Sequence, residues 1–278
     1  MKAALELLER KKSRLRGWVL LLLCCMAVCL CLPKEAEPLP DVQTTERGEA
    51  ALAGMKVALD PGHGGYDGGA RARDSGRWEK DINLEIALAV EKELAAQGAQ
   101  VILTRREDVC LSEGNTATKA RKREDLQQRV NIALENQADV FLSIHMNEYR
   151  SRSESGPQVF YQRGGDAGRL LAGVLQKHLI AGLEPKKERS AMAGDYYVLR
   201  GPLPSALVEC GFISNAQEEK MLLDPAYQLQ FGQAVAQWLI LWRRLCGLKI
   251  RLVFWRHLRY NMNICLILLS QVRNRHVP

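Results

Sequence analysis

The fold is decided by one segment, MKVALDPGHGGYDGG, at residues 55–69. Its first part is mostly apolar and predicts a short buried strand at 57–59. Six of the next ten residues, 60–69, are Gly or Pro, which predicts a turn directly after the strand. His63 stands in that turn. A histidine there is either an ordinary loop residue or a metal ligand that a substrate can reach. The other motifs of the sequence are needed to distinguish the two interpretations.

Apolar runs that predict strands alternate along the chain with segments of helical periodicity. Strand–helix alternation is typical of a mainly parallel sheet with helices on both faces, so we expect a single α/β catalytic domain with a mixed, mainly parallel sheet. A polar, basic loop is predicted at 110–123, either as a solvated insertion or as a rim that meets an anionic polymer. Further strands are predicted at 100–104, 140–145, 158–161, 196–199 and 206–210, and helices at 81–97, 124–136, 166–180, 214–223 and 225–242.

Basic residues are concentrated at the two ends of the chain. The whole chain has 39 Lys/Arg and 32 Asp/Glu. Residues 1–16 and 243–278 hold 14 of the basic residues and two of the acidic ones, so the body is mildly acidic. A nucleic-acid-binding domain carries its positive charge on the folded body, so we expect no nucleic-acid partner.

The first 32 residues have the pattern of an export signal. Six basic residues precede the apolar run GWVLLLLCCMAVCLCL at 17–32. We expect 1–32 to be an uncleaved signal-anchor, with a cleaved signal as the alternative, because a basic flank before an apolar run directs insertion. A tether at 33–54, a catalytic domain at 55–242 and a basic, apolar tail of unknown role at 243–278 are then predicted. The body would lie outside the cytoplasm, either membrane-anchored through the N-terminal segment or secreted.

The spacing of the cysteines does not indicate a metal site made of thiolates. Four of the eight cysteines lie in the apolar run at 17–32, and Cys110 and Cys210 lie in the body. No CxxC pair occurs, so a zinc site made of thiolates is not expected. Whether Cys110 and Cys210 form a disulfide stays open.

Polar residues stand where predicted strands end. His63 follows the first strand, His145 ends VFLSIH and Glu209 ends SALVE, while Glu79 in RWEKD precedes the first helix. Open parallel sheets bind ligands at the carboxyl ends of their strands. Two imidazoles and one carboxylate are a common catalytic zinc set, in which the fourth position is left for water. Each residue also has an ordinary structural explanation, so spacing alone leaves the zinc site open.

Four motifs in order resemble one enzyme family. LDPGHGGYDGGA, WEKDINLEIA, LSIHMN and LVECGFISN together resemble the zinc-dependent N-acetylmuramoyl-L-alanine amidases of bacterial cell walls, the amidase-3 family, over residues 55–242. The resemblance implies hydrolysis of the amide bond between N-acetylmuramic acid and L-alanine in peptidoglycan, with Zn²⁺ as cofactor. It also implies site roles: His63, Glu79 and His145 as metal ligands, Glu209 as catalytic acid and base, and Asn147 and Arg129 as substrate-binding residues.

A finer resemblance is to the germination-specific amidases of spore formers. It rests on the predicted anchor, the short tether, the lack of a wall-binding repeat domain and the insertion SEGNTATKARKREDLQQRV at 112–130. This implies a role in spore cortex maturation, namely muramic-δ-lactam formation needed for germination. It also implies a location in the forespore or spore envelope and a muramic acid deacetylase as a partner in sequence.

Three alternatives stay open at this point. A zinc peptidase that cuts within stem peptides would use the same metal chemistry. A non-catalytic module that binds peptidoglycan would keep the fold, although such a protein is expected to have lost a ligand or the base. An amidase that is latent until a partner binds is the third alternative.

Overall fold

The computed structural model describes residues 50–114 and 117–246. The predicted signal-anchor at 1–32, most of the tether and nearly all of the tail at 243–278 lie outside these residues. Within them, none of the helices combines the length and apolar character needed to cross a membrane.

A six-stranded sheet forms the centre of the fold, in the order β2-β1-β3-β6-β4-β5. β4 runs antiparallel to β6, and the other neighbouring strands are parallel. The predicted mixed, mainly parallel sheet is therefore confirmed. The strands are β1 Lys56–Pro61, β2 Gln100–Leu103, β3 Val140–Asn147, β4 Gln158–Gln162, β5 Met192–Gly194 and β6 Ser205–Phe212.

Helices cover both faces of the sheet, as predicted. They are α1 Glu79–Ala96, α2 Lys119–Glu135, α3 Asp166–Leu183, α4 Ala216–Leu222 and α5 at 225–246, together with a 3₁₀ helix at Tyr197–Leu199. On one face, the large apolar cluster joins Leu59, Leu142 and Val208 of the sheet to α1, α3 and α5. On the other, a smaller cluster joins Ala58, Phe141 and Leu207 to α2 and the 3₁₀ helix. Successive strand residues point to opposite faces, which explains how neighbours such as Ala58 and Leu59 enter different clusters.

Two local predictions were wrong. The basic loop predicted at 110–123 ends earlier, because Thr118 caps α2 by accepting the Arg121 N–H, at 3.2 Å, and the helix begins at Lys119.

The strand predicted at 196–199 is a 3₁₀ helix, and β5 is the edge strand. The Leu199 N–H bonds the Tyr196 carbonyl and the Arg200 N–H bonds the Tyr197 carbonyl, so this apolar run satisfies its backbone locally.

Cys110 and Cys210 are both free thiols. Cys110 lies in the loop before α2, where its sulfur is 3.0 Å from the Ser112 hydroxyl oxygen. Cys210 is buried in β6. No disulfide therefore joins these two cysteines.

A buried ion pair lies on the face of the sheet that packs against α2, next to the smaller apolar cluster. Asp60, the fifth residue of β1, pairs with Arg129 of α2 at 2.7 Å, and both side chains are 1% exposed. The Asp60 carboxylate also accepts hydrogen bonds from the Thr104 hydroxyl at 2.7 Å and the Ser143 hydroxyl at 2.6 Å. Burial acts to raise the pKa of Asp60, but the Arg129 charge and these hydrogen bonds lower it below its usual value. The pair therefore ties β1 to α2, to β3 and to the end of β2.

Asp60→Ala is expected to lower the free energy of unfolding by about 3 kcal/mol, the low end for a broken buried pair, because Asp125 still contacts Arg129. Urea unfolding followed by circular dichroism measures this. Asp195→Ala is the control, since it removes an exposed pair with Arg200. Equal loss in the two variants would contradict a special role for Asp60.

The same carboxylate makes stability depend on pH. Because folding lowers the pKa of Asp60, its contribution is complete above the unfolded pKa of about 3.9 and is lost as the pH falls through the folded value. We therefore expect Asp60→Asn to unfold with a shallower dependence on pH in the acid range than the parent. Urea midpoints measured across that range test this, and parallel curves would contradict it.

Candidate metal centre

The structure brings together three of the residues predicted from the sequence. His63 follows β1, Glu79 is the first residue of α1, and His145 lies in β3. The Glu79 Oε1 atom is 3.2 Å from His63 Nε2 and 3.0 Å from His145 Nδ1. One ligand atom from each residue lies within 4.8 Å of the other two, and the two imidazole rings meet edge to face.

The turn that carries His63 has an unusual backbone. His63 has a φ of 63°, in the left-handed region that side chains other than glycine rarely adopt. Gly64 and Gly65 follow it, also with positive φ. The glycines allow the chain to reverse sharply after β1 and to present the imidazole at the end of the sheet.

Two buried arginines hold this turn through its carbonyl groups. Arg129 donates to the Pro61 carbonyl at 2.9 Å and to the His63 carbonyl at 2.7 Å. Arg105 donates to the carbonyls of Pro61 at 2.9 Å and Gly62 at 3.0 Å. Burial and the charge of Arg129 lower the pKa of Arg105 to about 10, which still leaves it protonated at neutral pH. The backbone on both sides of His63 is thereby fixed.

Glu79 is held by donors on both of its oxygens. Oε1 accepts the Met146 N–H at 3.1 Å, and Oε2 accepts the Ala70 N–H at 2.8 Å. The side chain of Asn83, one turn further along α1, bonds Oε1 at 3.4 Å and the Gly62 carbonyl at 3.1 Å. Burial acts to raise the pKa of Glu79, but the two histidines lower it well below its usual value. The first turn of a helix also favours a carboxylate.

His63 lies between two carboxylates. Its Nε2 faces Glu79, and its Nδ1 is 3.0 Å from Asp67 Oδ1. Burial acts to lower the pKa of His63, but Asp67 and Glu79 raise it to about 9. Such a strongly anionic surrounding favours a cation at this place.

The three residues fit a metal ion. Two imidazole nitrogens and one carboxylate oxygen are the donor set of many catalytic zinc sites. The backbone beside them is glycine where a side chain would not fit. A Cβ atom at Gly62 would overlap the His145 ring, and one at Gly69 would lie 2.5 Å from Glu79 Oε2 and 2.8 Å from the His63 ring. The chain therefore leaves room for His63, Glu79 and His145 to share an ion.

Glu209 opens into the same cavity. It pairs in register with His145 across β3 and β6, so the two side chains lie on the same face of the sheet. Its Oε2 is buried and has no hydrogen-bond partner among the described residues. Burial and the nearby charge of Glu79 raise the pKa of Glu209 to about 8. A cavity of about 280 Å³ joins it to the metal centre and to α2 and the 3₁₀ helix; its lining includes His63, His145, Glu209, Lys122, Leu126 and Tyr197.

The two residues predicted to bind substrate lie in different settings. Arg129 lines the cavity, but its side chain is 1% exposed and bonds Asp60, Asp125 and two carbonyls, so its observed role is to support the turn. Asn147 ends β3, where the pairing with β6 shifts register, and its carbonyl accepts the Ile213 N–H at 2.8 Å. Substrate binding by either residue stays a prediction.

Sequence reasoning missed three residues that support the site. Asp67 contacts His63, Asn83 contacts Glu79, and Arg105 contacts the Gly62 carbonyl just before His63. Asp67 and Asn83 lie inside the quoted motifs, but only the folded chain shows which atoms they touch. Arg105 follows the β2 segment and carried no signal of its own.

Comparison with known proteins identifies the family to which the sequence motifs and the candidate metal site belong. The family model described as N-acetylmuramoyl-L-alanine amidase, amidase-3, matches residues 57–240, which is more than half of the chain. The germination-specific N-acetylmuramoyl-L-alanine amidase of Bacillus subtilis is 38% identical over 186 residues, covering 66% of this chain and 78% of that protein. The amidase LytC of the same organism is 36% identical, but the matched region is only 34% of its length.

A solved structure agrees with these relatives. The CwlD amidase from Clostridioides difficile, solved in complex with the GerS lipoprotein, is 33% identical to this chain with a TM-score of 0.66. The match covers 69% of this chain and 99% of that one. The likeness therefore extends over the whole of that amidase chain.

Gly62→Ala is expected to abolish tight metal binding while leaving the helical content intact, because the new methyl group must displace the His145 ring. Zinc titration and circular dichroism measure the two effects. Gly173→Ala is the matched control, since a Cβ atom there meets nothing within 4 Å. Parent-like zinc affinity in Gly62→Ala would show that His145 does not occupy this position in the metal-binding protein.

Proposed function

The chain belongs to the amidase-3 family of N-acetylmuramoyl-L-alanine amidases, and we propose that it uses His63, Glu79 and His145 to hold a catalytic Zn²⁺ ion and Glu209 to move the proton. Members of this family hydrolyse the amide that joins N-acetylmuramic acid to L-alanine in peptidoglycan. Because the substrate is a cell-wall polymer, the catalytic body works outside the cytoplasm.

One observation carries the assignment. His63 and His145, two of the three candidate ligands, line the same cavity as Glu209, whose Oε2 atom is buried without a hydrogen-bond partner among the described residues. A buried polar atom without a partner costs about 1–3 kcal/mol, so a purely structural glutamate at position 209 is disfavoured. A non-catalytic binding module has no need to keep such a group beside a complete ligand set.

The chemistry divides between the ion and Glu209. When bound, Zn²⁺ supplies Lewis-acid polarisation of the scissile carbonyl and lowers the pKa of water to about 7. Glu209, with a pKa of about 8, is poised to exchange a proton near neutral pH. The Glu209 carboxylate accepts the proton of the attacking water and then delivers it to the amine of L-alanine, so that the leaving group departs neutral.

Residues around the ligands maintain this arrangement. Arg105 and Arg129 fix the carbonyls of the His63 turn, and the Met146 N–H fixes Glu79. Leu126 and Tyr197 line the cavity beyond them and offer apolar contact to the substrate. Asn147, at the end of β3, is proposed to contact the substrate near the reacting amide.

We further propose a role in spore cortex maturation. Support comes from the germination-specific amidase of B. subtilis, the CwlD structure and the insertion at 112–130. In this proposal the chain removes stem peptides before a muramic acid deacetylase acts, and muramic-δ-lactam then forms. The N-terminal segment is proposed to hold it at the membrane of the forespore or spore envelope. Because CwlD was solved with the GerS lipoprotein, a lipoprotein is the proposed class of protein partner.

The full chain with added zinc should release intact peptides beginning with L-alanine from purified peptidoglycan, and a chelator should stop this. Glu209→Gln should keep zinc and lose at least about 100-fold in rate, because general acid–base catalysis is removed. Mass spectrometry of the products and zinc analysis of the protein measure the two effects, with the exposed Glu135→Gln as control.

Three outcomes would change the assignment. Peptides cut internally would indicate a zinc peptidase. Stoichiometric zinc with no turnover on any substrate would indicate a binding module or an amidase that waits for its partner. Parent-like turnover in Glu209→Gln would remove Glu209 from the acid–base role.

Loss of the chain from the organism that makes it is expected to leave spore cortex without muramic-δ-lactam and vegetative wall unchanged. The reason is that lactam formation needs the stem peptide removed first. Mass spectrometry of digested cortex and wall provides the measurement. Normal cortex beside an altered vegetative wall would assign the amidase to the vegetative wall instead.

A further inference from the structure

We propose that Arg123 of α2 and Arg200, which both contact the ring of Tyr197, form a carboxylate-binding subsite at the rim of the cavity. There they select stem peptides that carry a free carboxylate close to the reacting amide. The inference rests on the proposed amidase function and adds a specificity to it.

The lining of the cavity falls into two parts. His63, His145 and Glu209 form the reactive part, and Tyr197 of the 3₁₀ helix lies with α2 in the other part. The cavity holds only about 280 Å³. A substrate with its amide at the reactive part therefore places a neighbouring group beside Tyr197 and α2.

Two guanidinium groups meet the ring of Tyr197. The central guanidinium carbons of Arg123 and Arg200 each lie 5.6 Å from the ring centre. The Tyr197 hydroxyl donates to Gln127 Oε1 at 2.9 Å, which fixes the ring against α2. Residues four apart lie on the same face of a helix, so Arg123 and Gln127 approach the ring from one side of α2. The ring thus holds both arginines beside the cavity that it lines.

The two arginines differ in what else they bind. Arg200 donates to Asp195 Oδ1 from two of its nitrogens, at 3.1 and 2.8 Å. Arg123 is exposed, and it has no carboxylate partner among the described residues. A cation–π contact orients a guanidinium without neutralising it. Arg123 therefore keeps donors for a carboxylate, in the planar arrangement that matches one.

The charge at the start of α2 is unusual for a helix. Its first five residues are KARKR, and its first turn contains no acidic residue. The amino-terminal end of a helix carries partial positive charge, so basic side chains there weaken the helix. Lys122 has a carboxylate partner in Asp67 and also lines the cavity. An anionic ligand at the rim would offset the remaining positive charge.

Charge distinguishes the two halves of the substrate. The N-acetylated sugar on one side of the amide is neutral, whereas the peptide on the other side is acidic. Its second residue, D-glutamate, is linked through the side-chain carboxyl and keeps a free α-carboxylate unless it is amidated. Two extended residues span about 7 Å, so this carboxylate stays close to the reacting amide. A basic rim therefore matches the peptide and not the glycan.

The effects of substitution follow from this match. Arg123→Gln is expected to lower kcat/KM about 10-fold for a substrate with the free α-carboxylate, because a charge-assisted hydrogen bond is lost at a partly exposed site. The loss should appear in KM, since the carboxylate is bound alike in the ground state and the transition state. Arg200→Gln should have a smaller effect, because Asp195 already occupies two of its donors. Arg123→Lys keeps the charge and should retain part of the preference.

The test uses the full chain loaded with Zn²⁺ and two synthetic muramyl tripeptides with amidated C-termini. They differ only at the second residue of the peptide, which has an α-carboxylate in one compound and a carboxamide in the other. Peptide release is followed by chromatography, and kcat and KM are measured for each compound. Arg169→Gln is the matched control, because it removes an exposed arginine that pairs with Asp166 in α3. Circular dichroism checks that each variant folds.

Binding is measured separately from turnover. Calorimetry with the same two compounds uses Glu209→Gln, alone and combined with Arg123→Gln. The affinity of the carboxylate compound should fall in the combined variant, and that of the carboxamide compound should not change. Added salt should reduce the difference between the two compounds, because it screens exposed charges.

The proposal requires that the parent prefers the carboxylate compound and that Arg123→Gln loses this preference through KM. Equal kcat/KM for the two compounds in the parent, or an unchanged preference in a folded Arg123→Gln, would overturn it. Equal losses on both compounds would also overturn it, since they would show that Arg123 only supports the cavity wall. A parent that releases peptide from neither compound would count against the amidase function, and calorimetry would still decide the subsite.

Discussion

The buried pair of Asp60 and Arg129 is the interaction on which the site depends. Asp60 extends the second face of β1 beyond Ala58, where apolar packing against α2 gives way to polar groups. A buried ion pair adds little net stability compared with a well-packed apolar pair, but it is costly to break. The pair instead fixes the positions of the elements around it. The two side chains together contact β1, β3, α2, Thr104 and the backbone of the His63 turn.

The glycine-rich turn explains why two arginines are needed. A backbone that leaves the sheet in a left-handed conformation loses the ladder that would satisfy its carbonyl groups, and buried carbonyls require donors. Arg105 and Arg129 supply several donors each in a planar arrangement and bond the carbonyls of three consecutive residues, 61–63. The strained φ of His63 is therefore maintained by surrounding charge–dipole contacts, and the imidazole occupies one position.

The sequence predicted the parts of the fold that depend on local pattern. Periodicity located the helices and strands that enclose the core, and the motifs located His63, Glu79, His145 and Glu209. It failed at 196–199, where a short apolar run has the same pattern in a strand and in a buried helical turn. It also failed for support residues such as Asp67 and Arg105, since their roles depend on which backbone atoms lie beside them after folding. Substrate binding by Arg129, predicted from the resemblance, stays a prediction, and its contacts with Asp60 and Asp125 could not be predicted from the sequence because they depend on how α2 packs on β1.

The pKa values of Glu79 and Glu209 are shifted in opposite directions by their surroundings. Burial acts to raise the pKa of both. For Glu79 the two histidines reverse that effect, and N–H donors hold both oxygens, so it stays ionised, as its proposed role as a metal ligand requires. Glu209 has one oxygen without a partner among the described residues, and the negative charge of Glu79 adds to the effect of burial, so the pKa of Glu209 is raised to about 8. Environments that separate the pKa values of two carboxylates also separate their roles. The ionised state of Glu79 thus raises the pKa of Glu209, which couples the proposed ligand electrostatically to the proposed acid–base residue.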